Sequence, residues 1–150
     1  MEKKMRIMVV DDEERFLAST KKLLEKKGYT VETAAGGAEA LDKLIMVQPH
    51  VIILDVKMPG MDGIETLKEI KARFPLIEVI MLTGHGTVES AVTGLKSGAF
   101  DYLIKPIDVD DLLGKAEEAH RKRRQTEEKI RVAQSRTLTA SAQDILRETR

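Results

Sequence analysis

The chain has no cysteine and no tryptophan, only five other aromatic residues, and four prolines in 150 residues. The absence of cysteine rules out a disulfide framework and a thiolate metal site. No apolar run approaches the roughly 20 residues of a membrane span. Met1-Glu2-Lys3-Lys4 leads straight into a short apolar stretch with no signal-peptide pattern. A soluble, cytoplasmic protein that does not engage a membrane is therefore expected. Net charge is also absent, with 25 basic and 25 acidic residues, but the balance is uneven along the chain. Up to His120 there are 16 Lys and Arg against 21 Asp and Glu; from Arg121 onward there are 9 against 4. A sign change of this kind marks an organisational boundary. The hydrophobic share of 42% is ordinary, and the length suffices for one domain with a real core.

What is present is a series of short apolar runs. Val51-Ile52-Ile53-Leu54 has no polar break, follows Pro49 and ends on Asp55, as a strand buried on both faces of a parallel sheet does. Arg6 to Val10 is a second such run, ending at Asp11-Asp12-Glu13-Glu14, and Asp12 is a candidate N-cap for the helix that follows. That helix carries Phe16, Leu17, Thr20, Leu23 and Leu24 and stops at Gly28. Tyr29 to Ala34, Glu78 to Thr83 and Phe100 to Ile104 read as further strands. Between and after the strands lie helical stripes: Ala40, Leu41, Leu44 and Ile45; Ile64, Leu67, Ile70 and Phe74; Val88, Ala91, Val92 and Leu95; and Val109, Leu112, Leu113 and Ala116. Thr87 and Asp108 are the expected caps of the last two. Strand and helix alternate five times, which implies parallel pairing, right-handed crossovers and a doubly wound α/β sheet covered on both faces.

In such a sheet all the strands end on one edge, the edge where ligands bind. Asp11, Asp12, Asp55, Thr83 and Lys105 all fall there. Each alone is explained by a cap, a turn or a strand terminus; five together are not. Three carboxylates repel one another, and a bound cation relieves this. With hard oxygen ligands only, Mg²⁺ or Mn²⁺ fits better than Zn²⁺. A cation, an ammonium and a hydroxyl around one carboxylate suit phosphoryl transfer, with Asp55 as the nucleophile.

Asp11-Asp12, Leu54-Asp55-Val56-Lys57-Met58-Pro59-Gly60-Met61-Asp62-Gly63, Met81-Leu82-Thr83-Gly84 and Tyr102-Leu103-Ile104-Lys105-Pro106 together resemble the receiver domain of two-component response regulators, over roughly residues 5–120. The resemblance implies a flavodoxin-like (βα)5 fold with strand order 2-1-3-4-5. It also implies that Asp55 accepts phosphoryl from a phosphohistidine on a sensor histidine kinase. Asp12, Asp55 and the Lys57 backbone carbonyl would bind Mg²⁺ directly, and Asp11 through water. Lys105 would pair with the phosphoryl oxygens, across a cis Lys105-Pro106 bond. Thr83 would move to the phosphoryl group with Tyr102 swinging inward behind it, altering the face of the fourth helix, fifth strand and fifth helix that controls an output. By the same resemblance Lys57 and His85 flank the phosphoryl group and influence its lifetime. Read locally, both are solvated loop residues. Such a protein catalyses its own phosphotransfer and autodephosphorylation but is a switch and not a turnover enzyme.

Three rivals are weighed. A dinucleotide or P-loop enzyme needs a Gly-rich loop after the first strand, where this chain has four acids. A phosphatase of the haloacid dehalogenase type has an Asp two residues past the nucleophile; here that residue is Lys57, or Glu13 after Asp11. A phosphorylation-independent pseudo-receiver is the alternative function, opposed by the presence of every required residue. The expected division is a receiver domain over 1–122 and a helical extension or linker over 123–150, helical to about Arg136 and then frayed. Arg121-Lys122-Arg123-Arg124 suits the C-terminal turns of a helix, and its lack of aromatic neighbours argues against direct nucleic-acid binding. Homodimerisation through the fourth helix, fifth strand and fifth helix, or through the tail, is expected, with an output protein or an output domain beyond this chain. Wording such as Gly-His-Gly-Thr-Val-Glu-Ser-Ala is similar to receivers attached to ATPase-type transcription activators.

Overall fold

The computed structural model describes residues 4–148. Five strands, β1 (Arg6–Val10), β2 (Thr30–Ala34), β3 (Val51–Leu54), β4 (Glu78–Thr83) and β5 (Asp101–Ile104), pair in parallel in the order β2-β1-β3-β4-β5. The helices are α1 (Glu14–Lys26), α2 (Gly37–Met46), α3 (Gly63–Arg73), α4 (Val88–Lys96) and α5 (Val109–Glu148). Alternation along the central strands sends side chains into two separate cores. Met8, Val10, Ile52, Leu54, Val79 and Met81 pack with Ala40, Leu41 and Leu44 of α2 and Leu67 and Ile70 of α3. Ile7, Val9, Val51, Ile53, Ile80 and Leu82 pack with Leu17 and Leu24 of α1 and Leu112, Leu113, Ala116 and Ala119 of α5. This is the doubly wound (βα)5 sheet that the sequence implies.

Four local expectations are corrected. Asp12 does not cap α1: the cap position is Glu13, and it is Asp11 whose carboxylate accepts the Glu13 N–H, at 2.9 Å. Ile45, on the expected α2 stripe, is 69% exposed: it follows the fully buried Leu44 and so points about 100° round the helix, off the covered face. The α4 stripe is largely uncovered as well. Val88, Val92 and Leu95 are exposed, and Gly94 is the one buried residue of that helix. Finally, α5 does not fray near Arg136 but continues to Glu148. No Gly or Pro follows Gly114. The hydroxyls of Thr126, Thr137 and Thr139 bond carbonyls one turn back, and Arg131 pairs with Glu128. Nothing local stops the helix. Other caps are as expected: Thr87 forms a capping box with Ser90, and Asp108 accepts the Asp110 N–H at 2.9 Å.

At the end of the sheet away from the acidic residues, α5 is fastened by polar contacts. His50 accepts the Arg6 backbone N–H through Nδ1 at 2.9 Å and lies 4.6 Å from the ring of His120, centroid to centroid. Burial, and then the positive charge of Arg6, pushes His50 down to about 4, so it is neutral at physiological pH. Lys122 reaches the buried Glu78 at 3.6 Å, and Arg123 pairs with Glu127 at 2.6 Å. The basic run of α5 is thus partly used within the fold. No helix among the described residues is long and apolar enough to cross a membrane.

Candidate functional site

The C-terminal ends of β1, β3, β4 and β5 converge as the pattern of apolar runs requires. Asp11 follows β1, and its backbone N–H bonds Ala34 O at 3.1 Å; Asp55 follows β3, and its N–H bonds Val10 O at 3.0 Å. These continuations of the sheet ladder place both carboxylates at a fixed height on the edge. Oxygens of Asp11, Asp12 and Asp55 lie within 4.8 Å of one another. Asp11 and Asp55 are buried, while Asp12 is exposed at the rim. An open cleft of about 450 Å³ leads to them, lined by Asp12, Glu13, Asp55, Lys57, Met58, Pro59, Asp62 and His85. Lys57 and His85 are exposed at its mouth.

Lys105 crosses from the end of β5 to Asp11, with Nζ 2.6 Å from Oδ2. Its backbone N–H bonds Thr83 O at 2.8 Å, the Lys105-Pro106 bond is cis, and its ammonium lies 3.9 Å from the centre of the Phe16 ring. Phe16, which reads in sequence as one apolar residue of a stripe, therefore also guides the lysine by a cation–π contact. Thr83 is fully buried, and its hydroxyl oxygen accepts the His85 N–H at 3.1 Å. Tyr102 is half-buried, with its hydroxyl 2.6 Å from Ser90 Oγ.

The electrostatics single out Asp55. Burial, and then repulsion from Asp11, raises its carboxyl above the ordinary range, against the opposing pull of the Thr83 hydroxyl, Lys105 and the Val56 N–H, which it accepts at 2.8 Å. A carboxylate held against its preference for protonation, beside two others and opposite one lysine, is a place for added positive charge. Three carboxylates with no sulfur and no imidazole form a donor set that fits Mg²⁺ or Mn²⁺.

The structure brings together the five residues that the strand ends select: Asp11, Asp12, Asp55, Thr83 and Lys105. Lys57 sits in the adjoining cleft, and Tyr102 lies on the neighbouring strand β5, where it is the register partner of Met81 and Ile104 is that of Thr83. Two residues escaped a functional reading. Gly63 begins α3 directly against Asp55: a Cβ there would lie 2.0 Å from the Asp55 carbonyl oxygen. Its place in the Pro-Gly-Met-Asp-Gly run was the available signal. Ser90 had none beyond its position three residues after a cap.

Comparison with known proteins agrees with this geometry. The sequence model of the response regulator receiver domain matches residues 7–117. The chain is 41% identical over 113 residues to the DNA-binding transcriptional regulator NtrC of Escherichia coli K12, an alignment covering 75% of this chain and 24% of that protein. It is 45% identical over 113 residues to the transcriptional regulatory protein ZraR of the same strain, covering 75% and 26%. The chain thus spans about a quarter of the length of these curated relatives. Among solved structures, a CheY-like receiver domain protein from Methanospirillum hungatei JF-1 superposes with a TM-score of 0.78 at 37% identity, covering 81% of this chain and 98% of that one. NtrX from Brucella abortus, solved with ADP, gives 0.78 at 33% identity, covering 83% and 29%. With the acidic edge, the crossing lysine and the strand order already in place, the match over most of the chain means that it belongs to the response regulator receiver domains of two-component systems and is NtrC-like.

Proposed function

We propose that this receiver is a working phosphorylation switch in which Asp55 is the acceptor. The observation that carries the reading is the Asp55 carboxylate itself: buried, raised in pKa, clustered with Asp11 and Asp12 and open to the cleft. A carboxylate oxygen of Asp55 attacks the phosphorus of a phosphohistidine on a sensor histidine kinase. The new O–P bond forms as the P–N bond breaks, and the electron pair stays on the imidazole nitrogen, which takes up a proton. Asp12, Asp55 and the Lys57 carbonyl, with Asp11 behind, would hold Mg²⁺, which would supply positive charge against the transferring group. Lys105 supplies a second positive charge to the phosphoryl oxygens, and the Thr83 hydroxyl donates to them. Lys57 and His85 at the cleft mouth govern access of water and so the lifetime of the product.

Incubation with labelled acetyl phosphate tests this without a kinase. Labelling occurs with Mg²⁺, stops with EDTA, and requires a much higher Mg²⁺ concentration in Asp12→Ala. Unchanged Mg²⁺ affinity in that variant would remove Asp12 from the metal site. Complete failure of the wild type to label would favour a phosphorylation-independent binding module.

The surface that carries the signal is the face of α4, β5 and α5. It is apolar and uncovered at Val88, Val92, Leu95 and Ile104, which suits contact with a second copy or with an output protein. The relatives' names, a DNA-binding regulator and a transcriptional regulatory protein, favour transcription as the output, carried by a part outside this chain. Direct nucleic-acid binding by this chain is not part of the reading, since Lys122 and Arg123 are engaged with Glu78 and Glu127.

We take the receiver domain as 1–122 and a helical extension or linker as 123–150, which connects or dimerises. The projecting turns leave Ile130 and Leu138 exposed and lie beyond the core contacts of Ala116 and Ala119. Sites this separate act independently to within a few tenths of a kcal/mol, about twofold in rate. Removing residues 125–150 therefore leaves Asp55 labelling within that factor while any dimer, read by light scattering, is lost. A truncated protein that folds but does not label would show that the extension reaches the site.

A further inference from the structure

Ser90 sits in a cluster of hydrogen bonds that includes Thr87 Oγ1, 3.0 Å from its Oγ. Its Oγ lies 3.1 Å from the Thr87 N–H, which it accepts, and 3.1 Å from the Thr87 carbonyl, to which it donates. A serine hydroxyl has one proton and two lone pairs. The Tyr102 hydroxyl lies 2.6 Å from the same oxygen, a contact in which either hydroxyl can donate. The Tyr102 hydroxyl is thus bonded into the N-cap of α4.

The backbone around the ring fits this arrangement. A Cβ on Gly86 would lie 3.3 Å from Tyr102 Cε1 and 2.2 Å from Ile104 Cδ1, so the β4–α4 loop passes closely over both side chains. A Cβ on Gly94 would lie 3.6 Å from Tyr102 Cδ2. The ring therefore lies beside Gly86 of the loop and beside Ser90 and Gly94, one turn of α4 apart. With Val88, Val92 and Leu95 all exposed, this hydrogen bond is one of the contacts that tie the first turn of α4 to the sheet. The loop is also tied to the site through His85 N–H and the Thr83 hydroxyl.

We propose that Ser90 is the positioning residue of the switch: its hydroxyl latches Tyr102 to the N-terminus of α4 and favours the unphosphorylated arrangement. The proposal rests on the phosphorylation reading above. When Thr83 moves its hydroxyl to a phosphoryl group, the loop bonded to it through the His85 N–H is drawn toward the site, and Tyr102 must leave Ser90 to follow. The latch sets the cost of that step and so the equilibrium between the two arrangements.

The test is a double-mutant cycle read by binding of trifluoroberyllate with Mg²⁺, a mimic of the phosphoryl group on a carboxylate, followed by NMR. Ser90→Ala binds the mimic about threefold to tenfold more tightly than wild type, the range for loss of one hydrogen bond. Tyr102→Phe removes the same bond from the other side, and the double variant adds nothing further to the Ser90→Ala effect. Ser90→Thr, which keeps the hydroxyl, restores wild-type affinity. Thr87→Val removes the cap and its hydrogen bonds with Ser90 while keeping the Ser90 and Tyr102 hydroxyls, and it controls for helix fraying. Additive effects of Ser90→Ala and Tyr102→Phe, or an affinity in Ser90→Ala equal to that of Thr87→Val, overturn the latch while leaving the phosphorylation reading untouched. Failure of the wild type to bind the mimic overturns both.

Discussion

Asp55→Asn is expected to abolish labelling by acetyl phosphate and, without divalent cation, to make the protein more stable. The first effect follows from chemistry, because an amide offers no anionic oxygen to phosphorus. The second follows from the cluster. Burial and the nearby Asp11 raise the Asp55 carboxyl in the folded state. A folded-state pKa above the unfolded value means that the fold binds the proton more tightly. The contribution to stability is full at low pH, declines as pH rises from the unfolded pKa through the folded one, and is absent at neutral pH, where the ionised group burdens the fold. Asn removes that burden while keeping the shape and the acceptor for the Val56 N–H. A gain of about 1 kcal/mol or more is expected at pH 7, roughly 3 °C in melting midpoint for a chain of this size. The difference from wild type shrinks as pH falls toward the ordinary carboxylate range, where protonated Asp and Asn are alike. Melting curves at pH 7 and pH 4 with EDTA measure it. A stability difference that ignores pH would place its origin outside the charge cluster, and full labelling of the Asn variant would remove Asp55 as the acceptor.

Gly63→Ala is the second large effect, and it separates crowding from flexibility. Gly63 is buried, and its N–H bonds the Val56 carbonyl at 2.7 Å. A Cβ there meets backbone on every near side: the Asp55 oxygen at 2.0 Å, Val56 Cα at 2.7 Å and the Asp55 carbonyl carbon at 2.9 Å. No side chain can rotate away, so α3 and the end of β3 must part by an ångström or more. Overpacking of this kind costs about 1–3 kcal/mol, and a 1 Å displacement of a reacting group costs about a hundredfold in rate. The variant is expected to unfold at distinctly lower denaturant and to label very slowly even where it is folded. Gly60→Ala is the matched comparison. Gly60 has φ +77° with nothing within 4 Å of its Cβ position, so its substitution carries only the left-handed backbone penalty of about 1–2 kcal/mol and leaves the labelling rate close to wild type. Wild-type stability in Gly63→Ala would show that α3 sits off Asp55 in solution.

The strands were legible because burial on both faces leaves an unmistakable mark: Val51 to Leu54 and Val79 to Leu82 are continuously apolar and fully enclosed. The carboxylates, Thr83 and Lys105 could be placed on one edge because parallel strands all end there, whatever their order. The order 2-1-3-4-5 itself needed the family resemblance, since short apolar runs do not say which neighbour they pair with. Periodicity also says which face of a helix is apolar but not whether anything covers it. The stripes of α2 and α4 look alike in sequence, yet Leu41 and Leu44 are buried where Val88, Val92 and Leu95 are exposed, because α4 meets the sheet chiefly through Gly94 and Tyr102. Sequence does not separate Asp11 from Asp12 as the residue that turns the chain into α1, because the two are chemically alike. Only the fold turns Asp11 inward to Lys105, 94 residues away, and leaves Asp12 at the rim. The same holds for Phe16 beneath that lysine, Gly63 against Asp55 and Ser90 beneath Tyr102. In each case the contact exists only once the elements have packed against one another.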